Sequence, residues 1–281
     1  MLFAPAAVVA AEPVVPGSAH LEFQKVRGKT VLTRAEAASP LRLLHPKNSG
    51  SAAWVYAATY GGGLLGGDEI ALDARVGDGA AAMLSTQAST KVYRSERPAG
   101  QQLRAHVGDD AVLVLLPDPV TPFADSQYSQ QQHVELASSA TLIAVDWMTA
   151  GRVSFGERWQ FTSYAARTWI RRGCRLVLHD AMVLSPEDGD VAARMGRFNC
   201  VAWAVALGPA VRAAAVRLAN ALEGTAVPRR AELLLSVAPL DDDGVLLRVA
   251  GTSAQQVGAV LKQHLSFVPS LLGDDPWQTR W

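Results

Sequence analysis

The sequence has no surplus of charge of either sign: lysine and arginine total 26, aspartate and glutamate total 26, over 281 residues. A nucleic-acid binder usually carries a basic excess to neutralise phosphates, so the balance argues against that class. The same balance removes one barrier to self-association and fits a protein that works inside a complex. Cysteine is scarce. Cys174 and Cys200 are the only two, which gives neither a disulfide framework nor a zinc pattern. They are expected to be buried free thiols in a reducing, cytoplasmic compartment. No run of 18 apolar residues exists, so no membrane-spanning helix is expected. Met1–Ala11 is apolar, but it lacks a basic start and is interrupted by Pro5. Residues 1–17 are therefore expected to form a flexible arm and not a signal peptide. The histidines His20, His45, His106, His133, His179 and His264 are scattered, with no His-x-His or His-x-x-x-His pair. A Gly-x-Ser-x-Gly nucleophile elbow is also missing.

What is present reads as strand. His20–Val26 and Thr30–Ala35 are alternating runs about Arg27-Gly28-Lys29, the pattern of a hairpin. Ala52–Tyr60, Glu69–Val76, Ala80–Thr86, Gln101–Val107, Ala111–Leu115, Tyr128–Leu136, Thr141–Trp147, Glu157–Trp169 and Arg175–Ala181 continue the series. Glu232–Ala238 and Val245–Ala250 form a late pair joined by the acidic turn Asp241-Asp242-Asp243-Gly244. Glycine, proline, aspartate and serine punctuate the runs, as in stacked antiparallel sheets. Two late helices are expected. Pro209–Glu223 is alanine-rich, with proline near its start and Gly224 at its end. Ser253–Leu265 has a serine cap and an apolar stripe of Val257, Val260, Leu261 and Leu265. The expected fold class is mainly β, with stacked antiparallel or mixed sheets in a β-helix-like or sandwich body and two C-terminal helices. No repeat of fixed period is evident, and residues 18–281 read as one domain.

Gly61-Gly62-Gly63-Leu64-Leu65-Gly66 formally matches the dinucleotide fingerprint. That fingerprint requires a following helix, whose free N–H groups hold the pyrophosphate. Here Gly67-Asp68 and an alternating strand follow, so the glycines are better read as a loop of positive φ packed closely against another segment. Two polar clusters remain. Ser85-Thr86-Gln87-Ala88-Ser89-Thr90-Lys91-Val92-Tyr93-Arg94 is dense in hydroxyls, and reads either as a solvated edge or as a functional loop. Leu116-Pro117-Asp118-Pro119-Val120-Thr121-Pro122-Phe123 is held extended by three prolines, and rigid loops with an apolar tip often make protein contacts.

Taken together, these segments are recognisable. Thr59-Tyr60-Gly61-Gly62-Gly63-Leu64-Leu65-Gly66-Gly67-Asp68 resembles the glycine-rich segment of the urease accessory protein UreD (UreH) family. Ser85–Tyr93, Leu116–Phe123, and Val145–Arg152 with Gly156-Glu157-Arg158-Trp159 resemble that family's next three landmarks, in its order. The likeness runs weakly from about residue 20 to the C-terminus. Bacterial members tend to have a His-Pro-Pro-Gly-Gly-like lead into the loop. The Ala-Thr-Tyr lead of this chain, with Asp146-Trp147, looks more like plant and fungal members.

The resemblance implies a chaperone instead of a catalyst. It implies assembly with UreF and the GTPase UreG on apo-urease, as a dimer within the complex, and delivery of nickel to the urease active site. No tightly bound cofactor is implied; nickel is in transit, and a transit route needs weak, spaced ligands. Within the family-like motifs, Asp68, Asp118, Asp146 and Glu157 are the candidate transient nickel ligands. Thr86, Lys91 and Arg152 are the candidate polar network, with Lys91 and Arg152 fixing carboxylates by ion pairing. The glycine-rich turn is expected to place Asp68 beside a polar interior. The C-terminal helices and the exposed part of Leu116–Phe123 are the candidate UreF interface. A second reading is an all-β hydrolase or lyase that uses Asp118, Asp146 and Glu157 in one closed pocket. A third is a UreD-like scaffold serving another metalloenzyme.

Overall fold

In the computed structural model, which describes residues 15–222 and 228–278, the chain winds back and forth between two facing sheets. Strands β1 (Ser18–Val26) and β2 (Lys29–Ala37) form the expected hairpin in the first sheet. Strands β3 (Leu41–Leu44) and β4 (Ala53–Thr59) open the second. The chain then alternates. Strand β5 (Glu69–Val76) is in the first sheet and β6 (Ala81–Thr86) in the second, and the short β7 (Thr90–Val92) lies in the connection. Strands β8 (Ala99–Val107), β9 (Val112–Leu116) and the short β10 (Val120–Pro122) repeat the pattern. So do β11 (Gln127–Leu136), β12 (Thr141–Thr149) and β13 (Ser163–Arg172). An antiparallel β14 (Arg175–Leu184) then closes the first sheet at seven strands.

Because neighbours within a sheet are one full winding apart, the core of each sheet is parallel. Strand β1 pairs with β5, β5 with β8, β8 with β11 and β11 with β13 in one sheet; β4 pairs with β6, β6 with β9 and β9 with β12 in the other. Antiparallel pairs flank these cores, β1–β2 and β13–β14 in the first sheet and β3–β4, β12–β15, β15–β17 and β16–β17 in the second, so both sheets are mixed. Strand spacing reports how often the chain turns, but not whether a turn returns to the same sheet.

After β14 come the short α1 (Val191–Met195) and β15 (Cys200–Leu207). Helix α2 (Arg212–Leu222), the hairpin of β16 (Leu233–Leu240) and β17 (Gly244–Gly251), α3 (Ala254–His264) and the short α4 (Val268–Leu272) complete the ten-stranded sheet and its covering. The two expected late helices are therefore α2 and α3, capped as expected for α3 by Ser253, whose side chain accepts from the Gln256 N–H. The end of the first helix expected at Gly224, and most of the 1–17 arm, lie outside the described residues. The strand expected over Glu157–Trp169 begins only at Ser163. Trp159 takes a left-handed φ of 58°, which no strand tolerates.

Burial follows from the layers. Strand β12 lies between the first sheet and the helices and is buried on both faces, which is why it reads as an almost continuous apolar run. Strand β11 has one face in water and alternates. Between the sheets sit Phe23, Leu113, Leu142, Ile170 and Val205; between the second sheet and the helices sit Val114, Ile143, Val257 and Leu261.

At one corner the windings do repeat. Val76-Gly77-Asp78-Gly79-Ala80, Val107-Gly108-Asp109-Asp110-Ala111 and Leu136-Ala137-Ser138-Ser139-Ala140 stack with Val76 opposite Val107 and Val107 opposite Leu136, giving windings of about 30 residues. The N–H groups of Gly108 and Ala137 donate to the carbonyls of Val76 and Val107. Asp78 accepts from the Asp109 N–H and Asp109 from the Ser139 hydroxyl. This corrects the expectation of no repeat. The repeat is confined to one corner, while the opposite corner carries long, dissimilar loops.

Candidate functional site

Those loops are the four recognisable segments, and they stack in chain order along one side of the body. Leu64 of the glycine-rich loop bridges to Val92, β7 pairs in parallel with β10, and Val120 of β10 pairs with Met148 of β12. Gly61 and Gly62 take φ of 90° and 69° in open space, whereas Gly63 and Gly66 are required because the loop lies directly on its neighbour. A Cβ on Gly63 would come 2.7 Å from the Lys91 carbonyl, and one on Gly66 would fall 1.5 Å from Ser95 Oγ. The reading of these glycines as a close-packed loop is thus the observed one. Asp68, however, closes its own turn by accepting from the Leu65 N–H at 2.8 Å, and it does not line the interior cavity. Its expected place beside the polar interior is not what the fold provides, because a carboxylate three residues past an open N–H is captured locally.

The polar interior lies between the sheets. On β11, Tyr128, Gln130 and Gln132 point inward ahead of Val134 and Leu136, and the two glutamines are buried. Opposite them Asp146 of β12 is also buried, and Gln130 Nε2 donates to its Oδ2 at 2.9 Å. The Tyr128 hydroxyl is hydrogen-bonded to the carboxamides of both Gln101 and Gln130. Its ring lies 5.4 Å from that of Tyr164. Asp180 and Arg248 form an ion pair at the far end of this polar layer. Burial, and then the carboxylate of Asp180, push Asp146 up to about 7 against the hydrogen bonds from Gln130 and the Trp147 backbone. Burial and the Asp146 charge also raise the phenols of Tyr128 and Tyr164. Beside Asp146 is a void of about 10 Å³ lined by Tyr164, Met182 and Trp203, room for about one water. Toward the loops the layer opens into a cleft of about 200 Å³ lined by Thr86, Ser89, Gln101, Gln130 and Gln132.

Of the seven residues singled out in the sequence, the fold brings Asp146 into this layer and Thr86 and Asp118 to its loop-side rim. Thr86 Oγ1 accepts from the Asp118 N–H at 2.7 Å and donates to Asp118 Oδ2 at 3.2 Å. Glu157 is elsewhere, on the outer loop, where it accepts from Arg152 Nε at 2.9 Å and from the Ala124 N–H at 3.2 Å. Arg152 holds the Glu157 carboxyl below the usual carboxylate range and stacks on Phe123 at 4.2 Å. Arg152 thus makes the expected ion pair. Lys91 is exposed and pairs with no described carboxylate, because its neighbours Thr90 and Val92 face inward and alternation turns it outward.

Glu157 therefore does not share one closed pocket with Asp118 and Asp146, and the three-carboxylate pocket of the hydrolase or lyase reading does not form. The Leu116–Phe123 segment is not an exposed tip: only Val120–Pro122 form β10, and each residue of the segment is buried or half-buried. Cys174 is exposed and only Cys200 is buried, with its thiol pushed up to about 12 by burial. Among the described residues no three of His, Cys, Asp and Glu form a group that holds a metal ion, and no helix is long and apolar enough to cross a membrane.

Sequence reasoning missed Tyr128, Gln130, Gln132, Gln101 and Asp180. One signal was available: with period two, Tyr128, Gln130 and Gln132 share a face with Val134 and Leu136, so the glutamines had to be inside. The family model for "UreD urease accessory protein" matches residues 15–281. The chain is 51% identical to the urease accessory protein UreD of Sorangium cellulosum, over 94% of this chain and 84% of that one. It is 43% identical to UreD of Anaeromyxobacter, over 93% and 88%. It is 33% identical to the urease accessory protein D of Oryza sativa subsp. indica, over 96% and 98%. With the four loop segments stacked in family order on a two-sheet body, this chain belongs to the UreD family of urease accessory proteins.

Proposed function

We propose that this chain is a non-catalytic scaffold of urease maturation that assembles with UreF and the GTPase UreG on apo-urease in the cytoplasm, as a dimer within that complex. Its polar interior passes nickel toward the urease active site. The observation that carries the reading is Asp146, a carboxylate buried among carboxamides, phenols and a second carboxylate in an otherwise apolar two-sheet core. Such a group is costly for a scaffold to retain unless something charged visits it. Oxygen donors spaced along a layer hold a divalent cation weakly, which suits cargo better than a resident ion. Thr86 and Asp118 stand where the layer meets the loops and would receive the ion, and Asp146 would relay it. The exposed faces of α2 and α3 are the UreF side, since these helices cover the second sheet and turn Arg212, Val216, Arg217 and Lys262 outward.

Co-expression of the cognate urease, UreF and UreG with and without this chain tests the role. Urease activity is expected to be lost when the chain is omitted, and unchanged activity would refute it. Asp146→Asn keeps the shape and removes the charge. It is expected to leave the complex intact by size exclusion and to lower the nickel content of the recovered urease.

A further inference from the structure

The cleft between the sheets has a composition that a cation route does not explain. Its volume is about 200 Å³, and its mouth lies between Gly62 and the exposed Gln87 and Ala88. Leucines at 72, 84, 103 and 115 form much of its wall. Its polar groups are hydroxyls and carboxamides, and no aspartate, glutamate, lysine, arginine or histidine lines it. Gln132 is the informative side chain. It is 8% exposed, its residue faces the cleft, and its carboxamide makes no hydrogen bond to a described residue. Gln130, two residues away on the same face, is bonded at both ends, to Tyr128 and to Asp146. That carboxamide is open to the cleft, where water can hydrate it, so its donors and acceptor are unused by the protein and available to a molecule that enters.

We propose that this cleft is a binding site for a small uncharged molecule bearing a carboxamide-type group, anchored on Gln132. A charged ligand would lose hydration with no counter-charge in the wall. A purely apolar one would leave Gln132 unpaired and the Gln101 and Ser89 polar atoms dry. A planar group with a donor beside an acceptor matches the glutamine's own C=O and NH₂, forming two hydrogen bonds while its carbon skeleton rests on the leucines. The size admits a compact solute and excludes a dinucleotide or peptide. Thr86 and Gln130, on the proposed ion route, also line this cleft, but Gln132 is not on that route and the test uses no nickel, so the two readings fail separately.

The test uses the full chain and ligand-observed NMR with acetamide, against acetate and tetramethylammonium as charged probes of similar size. Saturable binding of acetamide is expected, with at least about tenfold weaker binding of either charged probe. Gln132→Leu, checked for its fold by circular dichroism, is expected to weaken acetamide at least tenfold. A crystal soaked in acetamide should show it beside Gln132. Equal binding of all three probes, binding of none, or acetamide located elsewhere would each overturn the proposal. The comparison of probes on the unaltered chain keeps the test decisive should the leucine variant fail to fold.

Discussion

Asp146 makes a quantitative prediction about stability. An aspartate in water titrates near about 3.9, whereas burial and the neighbouring Asp180 push Asp146 up to about 7. Between about pH 4 and about pH 7 the folded chain holds a proton that the unfolded chain has lost, so stability falls as pH rises through that window. Below it both states are protonated; above it both are ionised and the full cost is present. A gap of about 3 pH units at about 1.36 kcal/mol each corresponds to about 4 kcal/mol. Asparagine has the same shape and no charge, so Asp146→Asn should lack this component. Urea unfolding of the metal-free wild type and variant, followed by circular dichroism across this range, gives their difference in stability. The variant is expected to gain on the wild type by several kcal/mol from the acid end to the alkaline end. A difference that stays flat with pH would refute the reasoning, because Asp146 would then be ionised throughout and the interior around it hydrated like the surface.

The same geometry makes three further predictions. Gly66→Ala puts a methyl 1.5 Å from Ser95 Oγ and 2.7 Å from the Arg97 carbonyl, and backbone cannot rotate away. It should cost about 1–3 kcal/mol in chemical denaturation and open the loops to limited proteolysis. Tyr128→Phe removes the hydroxyl between Gln101 and Gln130, and should cost about 1–3 kcal/mol with little change in secondary structure by circular dichroism. Arg172 lies 3.1 Å from both Asp241 and Asp243, joining the β13–β14 turn of one sheet to the acidic turn of the other. Arg172→Met removes the shared partner of two nearly buried carboxylates, leaving Arg175 on Asp241 and nothing described on Asp243, and should lower stability by about 3 kcal/mol in urea unfolding.

The outer face of the seven-stranded sheet is a different environment from this interior. Four of the histidines, at 20, 106, 133 and 179, stand on it, with Trp169 stacked between His133 and His179 at 4.4 and 5.1 Å. Cross-strand register, not sequence spacing, brings His133 and His179 to the two sides of Trp169, while His20 is opposite Asp73 and His106 faces Glu135 at 3.0 Å. Scattered positions in the chain became neighbours because the windings differ by about one repeat length.

The sequence by itself determined the parts of this protein that depend on local chemistry. Alternation identified β5 and β11, Ser253 identified the start of α3, and the run after Gly67-Asp68 identified a strand where a dinucleotide fingerprint needs a helix. The four loop segments identified the family before any contact was known. Tertiary structure alone decided which sheet each strand joined, because the turn between two strands is the same length whether it returns or crosses over. It also decided which of the candidate carboxylates lie in the interior. Asp68 and Glu157 were captured by partners close in the chain, at Leu65 and Arg152. Asp146 was isolated by 16 residues from Gln130 and by a whole sheet from Asp180, and only the closing of the two sheets removed it from water. Burial is a property of the whole winding, so no local pattern around Asp146 could announce it.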